Sequence, residues 1–216
     1  MTAPQLPEIG PHGSVPPATY APLRTLADVH ALEQVPLEQR IARWDFAQNL
    51  LDGCRHDPRR AALIATNNGD LDGPTLTWSF AELETRSVQI ANLLRAQGVG
   101  PGDAFAIVSP TVPALFATLV GGLLAARPFP INWMLDAGSL ARLIQLSGAR
   151  VVIALGPTPG FPIAENVAAA LAQLDTPPRL YTLHDPFAPA HEHDLLTAAA
   201  AHPGDRLAFD RPTAQR

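Results

Sequence analysis

The chain has 216 residues, of which 47% are hydrophobic and 16% charged, with a net charge of −5 and a pI near 5.7. That is enough apolar material for the core of one large domain, and it leaves no basic surface to neutralise the phosphates of a nucleic acid. All 15 cationic residues are arginine, which excludes every mechanism that needs a lysine, from Schiff-base chemistry to the phosphate-loop lysine of nucleotidases.

The single cysteine, Cys54, has no partner for an internal disulfide, and Met1 to Pro7 carries neither a positive nor an apolar signal region. The expectation is a cytoplasmic protein. The longest apolar stretch, Val112 to Ala126, is shorter than a membrane span and contains Pro113, Gly121 and Gly122, so it reads as a buried helix.

Of the 23 prolines, seven lie in residues 1–36 and nine in 157–216. This placement predicts a proline-rich arm over 1–36, a regular α/β region over 37–183 and a linker-like segment over 184–216. In chain order, Ile41, Trp44, Leu50 and Leu51 predict a helix over 37–51 that Gly53 ends. Ala61 to Ala65 and Thr75 to Trp78 read as a hairpin across the turn-rich Asn67-Asn68-Gly69-Asp70 and Asp72-Gly73-Pro74. Ser79 and Glu82 have capping-box spacing, and a helix from Phe80 to Gln97 with Gly98 as its left-handed stop follows.

Beyond it the pattern alternates. Strands are predicted at 104–109, 129–131, 150–155 and 179–183, with helices at 113–126, 138–147 and 163–174 between them. Alternation of this kind implies parallel pairing with right-handed crossovers, hence a three-layer α/β sandwich with a mostly parallel sheet.

Each candidate site has a plainer reading beside it. Gly98-Val99-Gly100-Pro101-Gly102 has the glycines of a phosphate loop but closes a helix and enters a strand, the reverse of the order such a loop needs, so it reads as a turn. His184, Asp185, His191, Glu192, His193, Asp194 and His202 are chemically able to hold zinc or nickel, but their spacing fits no closed site and reads as a solvated linker. Cys54 has no activating arrangement in the sequence and reads as packing. Trp133 and Met134 follow a strand end, where ligands of open α/β sheets gather, and would line an acyl pocket; core packing is the plainer alternative.

The stretch from Leu76 to Leu183 resembles the amino-terminal subdomain of the AMP-binding, acyl-adenylate-forming superfamily, and of its acyl-CoA synthetases in particular. Leu76-Thr77-Trp78-Ser79-Phe80-Ala81-Glu82-Leu83 is similar to the family's LTYAEL helix start, and Ala91-Asn92-Leu93-Leu94 with Gly98-Val99-Gly100-Pro101-Gly102-Asp103 to its ANxLxxxGVGPGD turn. Ala104 to Pro110, Pro130-Ile131-Asn132 and Ser147-Gly148-Ala149-Arg150-Val151-Val152 resemble the VAxLLPN, PINP and SGAKVLI segments in the same order. Leu155-Gly156-Pro157-Thr158-Pro159-Gly160 is similar to fatty-acyl-CoA synthetase-like members. Ala126 departs from the family's glycine, and Arg127 and Pro128 interrupt a strand that is apolar in the family, which implies an edge or distorted strand there.

The resemblance implies a parent reaction in which ATP activates a fatty or other carboxylic acid as an acyl-adenylate and coenzyme A then takes the acyl group. ATP, magnesium and CoA belong to full-length members. Their phosphate-binding segment, T-S-G-T-T-G-x-P-K, has no match between Asp205 and Arg216. The expectation is therefore a truncated synthetase fragment, inactive alone, with no catalytic, cofactor-binding or metal residue assigned in this chain. The alternatives are a non-catalytic module that docks with a separately encoded remainder, and a metal-binding role for the histidine segment.

Overall fold

The computed structural model describes residues 23–36, 45–189, 191 and 194–211. The chain divides into two units, residues 1–58 with 212–216, and residues 59–211.

In the first unit, α1 (Leu26–Glu33) starts at Thr25, which forms a reciprocal capping box with Asp28. The proline-rich arm thus contains a helix. α2 (Phe46–His56) begins at Asp45, whose side chain accepts from the Gln48 N–H at 3.0 Å, and it runs through Gly53 rather than ending there. The expected stop fails because Gly53 keeps helical geometry and does not take the positive φ that ends a helix. Residues 37–44 of that predicted helix lie outside the described residues.

The second unit opens with an antiparallel hairpin, β1 (Ala61–Thr66) and β2 (Thr75–Ser79), joined through a 3-10 turn at Asn67–Gly69. α3 (Phe80–Ala96) follows directly. Ser79 Oγ accepts from the Glu82 N–H while the Glu82 carboxylate accepts from the Ser79 N–H at 2.8 Å, so two orphan donors of the first turn are satisfied. At the other end Gly98 takes φ +76°, with Gly98 N–H bonded to Arg95 O and Val99 N–H to Leu94 O, a Schellman motif sealed by buried Val99 and Leu94. The glycine-rich segment is a turn, as expected.

The sheet has the order β4-β3-β5-β6, all parallel, built from β3 (Ala104–Val108), β4 (Arg127–Pro130), β5 (Val151–Leu155) and β6 (Arg179–Leu183). β5 is buried along its whole length, as a strand covered on both faces must be. α4 (Pro113–Ala125) packs with α3 on one face, together with the short α7 (Leu195–Ala199). α5 (Ala137–Ser147) and α6 (Ile163–Leu171) cover the other. This is the expected three-layer arrangement.

Close approach of α4 to its neighbours depends on two glycines. A Cβ at Gly121 would lie 2.4 Å from Ser87 O of α3, and one at Gly122 would lie 2.2 Å from Phe105 Cζ of β3. Phe105 is fully buried and fills the space that Gly122 leaves.

β4 is an edge strand, and its prolines have a physical reason. Arg127 N–H donates to Asp103 O and Ile131 N–H to Ile107 O, so the odd-numbered residues face β3. By the two-residue period, Pro128 and Pro130 point their missing donors outward. No ladder bond is lost, and the open edge presents no N–H to a neighbouring chain. The anticipated local disruption is absent because the prolines occupy the outward register.

In the stretch expected to be linker-like, Leu195–Ala199 forms a short helix, and residues 200–211 stay exposed or half-buried. Leu195 and Ala199 of α7 are buried, and residues 203–211 cross α3 as a strap. Among the described residues, no helix is long and apolar enough to cross a membrane.

Candidate functional site

Strand direction decides where a site can form. β3 leads through α4 to one side of the sheet and β5 through α6 to the other, so their connections part above the carboxyl ends of β3 and β5. A crevice at such a parting is where open α/β sheets bind ligands. Four segments border this edge: 109–112, 131–136, 156–162, and 184–189 with His191.

Each segment is shaped by local bonds. Asn132 Oδ1 accepts from Met134 N–H at 3.0 Å, and Asp136 Oδ1 accepts from Ser139 N–H at 3.0 Å to cap α5. That backbone bond from Ser139 holds the Asp136 carboxyl below the usual carboxylate range. Thr158, Pro159, Gly160 and Phe161 form a tight turn closed by Phe161 N–H to Thr158 O at 3.0 Å, with Gly160 at φ +82°. Proline followed by a positive-φ glycine is the pattern of a type II turn, so the backbone is rigid before any ligand arrives.

The turn places Phe161 edge-on to Trp133, with ring centroids 6.0 Å apart. Trp133 is half-buried, but Met134 is 70% exposed, so core packing does not account for it. An open groove of about 590 Å³ runs beside the turn, with Pro157, Pro159, Phe161, Pro162, Glu165 and His191 among its lining residues.

The histidine segment contributes a pair rather than a ligand cluster. His184 and His191 meet edge to face at 5.2 Å, and His191 Nδ1 lies 3.2 Å from Thr182 Oγ1. The His191 ring lies against Gly156, where a Cβ would be 2.2 Å from Nε2. Asp185 Oδ1 accepts from Phe187 N–H at 3.0 Å, and Asp194 Oδ2 accepts from Thr197 N–H at 2.8 Å to cap α7, while Asp194 Oδ1 is buried without a hydrogen bond among the described residues. His202 lies beyond the end of α7. Among the described residues, no group of three histidine, cysteine, aspartate or glutamate side chains is placed to hold a metal ion. Glu192 and His193 lie outside the described residues. Cys54, in the first unit, is buried.

Charge is distributed unevenly along the strands. Arg127, Arg150 and Arg179 stand at the amino ends of β4, β5 and β6, and Arg150 and Arg179 reach Gly98 O and Gln97 Oε1. The four carboxyl-edge segments contain no arginine and no lysine. For magnesium-ATP, that edge offers no arginine or lysine to set against the triphosphate, and its Asp136 and Asp185 carboxylates each accept a backbone N–H.

The long-range tether made by the Asn92 side chain, on α3, was not legible in the sequence. The amide bonds three backbone groups of residues 203–208, more than a hundred positions away. The Thr158-to-Phe161 turn, by contrast, was signalled by its Pro-Gly pair.

A parallel sheet with a crevice at its carboxyl edge and helices on both faces is the architecture of an open α/β protein. The sequence model of the AMP-binding enzyme family matches residues 51–211, and the chain belongs to that family.

Feruloyl-CoA synthase of an Amycolatopsis species is 42% identical over 101 residues, covering 46% of this chain and 19% of the relative. A fatty acid–[acyl-carrier-protein] ligase of Streptomyces coeruleorubidus is 28% identical over 74% of this chain and 28% of its own length. Among solved structures, a benzoate CoA ligase from Burkholderia xenovorans superposes with a TM-score of 0.59 at 26% identity, over 78% of this chain and 31% of that one. An acyl-CoA synthetase of Brucella canis gives 0.63 at 23% identity, over 85% and 33%, a likeness of fold. The chain therefore spans about a fifth to a third of the length of these relatives.

Proposed function

We propose that this chain supplies the amino-terminal α/β layer of an ATP-dependent carboxylate–CoA ligase, whose whole activates a carboxylic acid as the acyl-adenylate and passes the acyl group to the thiol of coenzyme A. The substrate classes that the relatives' names suggest are aromatic and fatty acids. The 216 residues do not run that cycle by themselves. The observation that carries this second statement is the carboxyl edge without a single lysine or arginine. Adenylyl transfer develops charge on phosphate oxygens, and positioned cations are what stabilise it. A cytoplasmic setting suits such a ligase.

The test is ATP–pyrophosphate exchange by the purified chain with a panel of aromatic and fatty acids, with and without magnesium. The expected outcome is no exchange above the protein-free background. Acid-dependent exchange that survives repurification would refute the reading.

A second reading, a module that docks with a separately encoded remainder, is favoured by Phe116, Phe129, Met134 and Phe161, large apolar side chains that stay exposed. Mixing the chain with the rest of a ligase would then give a complex that regains exchange. Co-elution without exchange, or neither, counts against it.

A further inference from the structure

Residues 203–211 are attached to the α/β core in an unusual way. Asn92, in the middle of α3, is only 3% exposed. Its amide nitrogen donates to Pro203 O at 2.8 Å and to Arg206 O at 2.9 Å, while its Oδ1 accepts from Ala208 N–H at 2.7 Å. Two donors and one acceptor are all used, and each meets a backbone group of the strap. Of the acidic, amide and apolar side chains of similar size, only the amide has that complement, because aspartate would turn a second acceptor toward two carbonyls.

The strap has little else of its own to hold it. Its Leu207 and Phe209 are half-buried and its Ala208 and Asp210 exposed, whereas Leu195 and Ala199 just before it are in the core. Arg95 lies over the Phe209 ring at 4.8 Å, and Arg211 Nε donates to Leu124 O at 3.2 Å. Gly204 lets the strap lie flat, since a Cβ there would come 2.6 Å from Thr85 Cγ2. Segments with few buried apolar contacts open at lower free energy than the core, as units.

We propose that Asn92 is a latch: residues 203–211 form a strap that docks and releases as one unit on α3, with the Asn92 amide as its keystone, while the α/β core stays folded. The docked strap ends against the carboxyl end of α4, at the amino edge of the sheet. Whatever conformational change carries that strap away from α3 must break the three Asn92 bonds together. This inference does not depend on the reaction proposed above.

The experiment is residue-resolved hydrogen exchange on the full 216-residue chain. The Ala208 amide should be protected, yet exchange faster than the amides of β5. Asn92→Ala should accelerate Ala208 roughly 100-fold, the combined effect of three bonds, and leave β5 unchanged. Gly204→Val is the second variant. It keeps Asn92 and lifts the strap against Thr85, and it should give the same selective acceleration if Asn92→Ala does not fold. Ala208 exchanging at the β5 rate in the parent chain, or either variant accelerating both sites equally, would show that the strap opens only with the core. An unchanged Ala208 rate in a folded Asn92→Ala protein would show that Asn92 does not hold it. Any of these results overturns the proposal.

Discussion

Gly121→Ala tests the α3–α4 interface directly, because two effects of opposite sign meet at one atom. In an exposed helix interior the change from glycine to alanine gains up to about 1 kcal/mol. Here the new Cβ would lie 2.4 Å from Ser87 O, about 1 Å short of the 3.4 Å at which ordinary contact begins, and 3.0 Å from Ile90 Cβ. The first obstacle is backbone, so no rotamer change relieves it. α4 must move off α3, and Phe105, packed under Gly122, must follow. Overpacking of this kind costs about 1–3 kcal/mol and occasionally more, so the clash exceeds the propensity gain. We expect a net loss of about 2 kcal/mol and a melting temperature lower by about 4–8 °C for a chain of this size. Gly53→Ala is the matched control. It lies in the interior of α2 with nothing within 4 Å of its Cβ, and it should be neutral or stabilising by up to about 1 kcal/mol. Thermal and urea melts of both variants decide the matter. A Gly121→Ala protein as stable as its parent would refute the packing argument.

Ser79→Ala removes one half of the α3 capping box and should cost about 1 kcal/mol in urea melts at neutral pH. The backbone bond from Ser79 holds the Glu82 carboxyl below its ordinary value of 4.5. Its stabilising contribution is therefore present above that value and disappears as pH falls through the lowered one. In Glu82→Gln, which lacks the titrating carboxylate, the acid-side decline below pH 4.5 should be shallower, and a decline as steep as the parent's would argue against the pairing. Pro128→Ala combined with Pro130→Ala should leave the fold intact by circular dichroism but raise concentration-dependent self-association in sedimentation velocity, since two outward N–H groups appear on the β4 edge. Gly156→Ala should push the His191 ring from its place against β5. The His184 and His191 imidazole resonances should shift while β5 amide resonances hold, and unmoved imidazoles would disprove the contact.

What the sequence displayed and what it hid divide along chemical range. The Ser79–Glu82 box, the Gly98 stop and the alternation from Ala104 to Leu183 all rest on contacts within a few residues, and each is present in the structure. Gly53 misled because glycine ends a helix only where the chain needs positive φ, and there it does not. Thr25 and Asp28 start a helix inside the proline-rich arm through a capping box, a local signal that proline content does not reveal. Pro128 could be judged only once its partner was known: a proline costs a ladder bond in one register and nothing in the other. The carboxyl-edge crevice was legible as a location. Its Trp133–Phe161 contact and its His184–His191 pair were not, since each joins segments from different strand ends.

The same logic explains why the family could be read here while a site could not. The residues that mark the resemblance are turn glycines, caps and a buried strand, which fix how β3, β4 and β5 are laid down. They sit mostly at the amino edge or in the core, and the amino edge is also where Arg127, Arg150 and Arg179 gather, with Arg150 and Arg179 bonded to the turn after α3. The cations of this layer thus serve to tie strand starts to loops. The ligand edge is left apolar and aromatic, with the charge needed for phosphate chemistry absent from its four segments. Placing a lysine at the rim, for example Thr158→Lys beside the groove, should therefore not create ATP affinity by itself, because the flanking turn offers no phosphate-gripping run of N–H groups: Phe161 N–H is bonded to Thr158 O. Calorimetry with magnesium-ATP on that variant should give no binding heat, and a saturable signal would show that one cation was all the edge lacked.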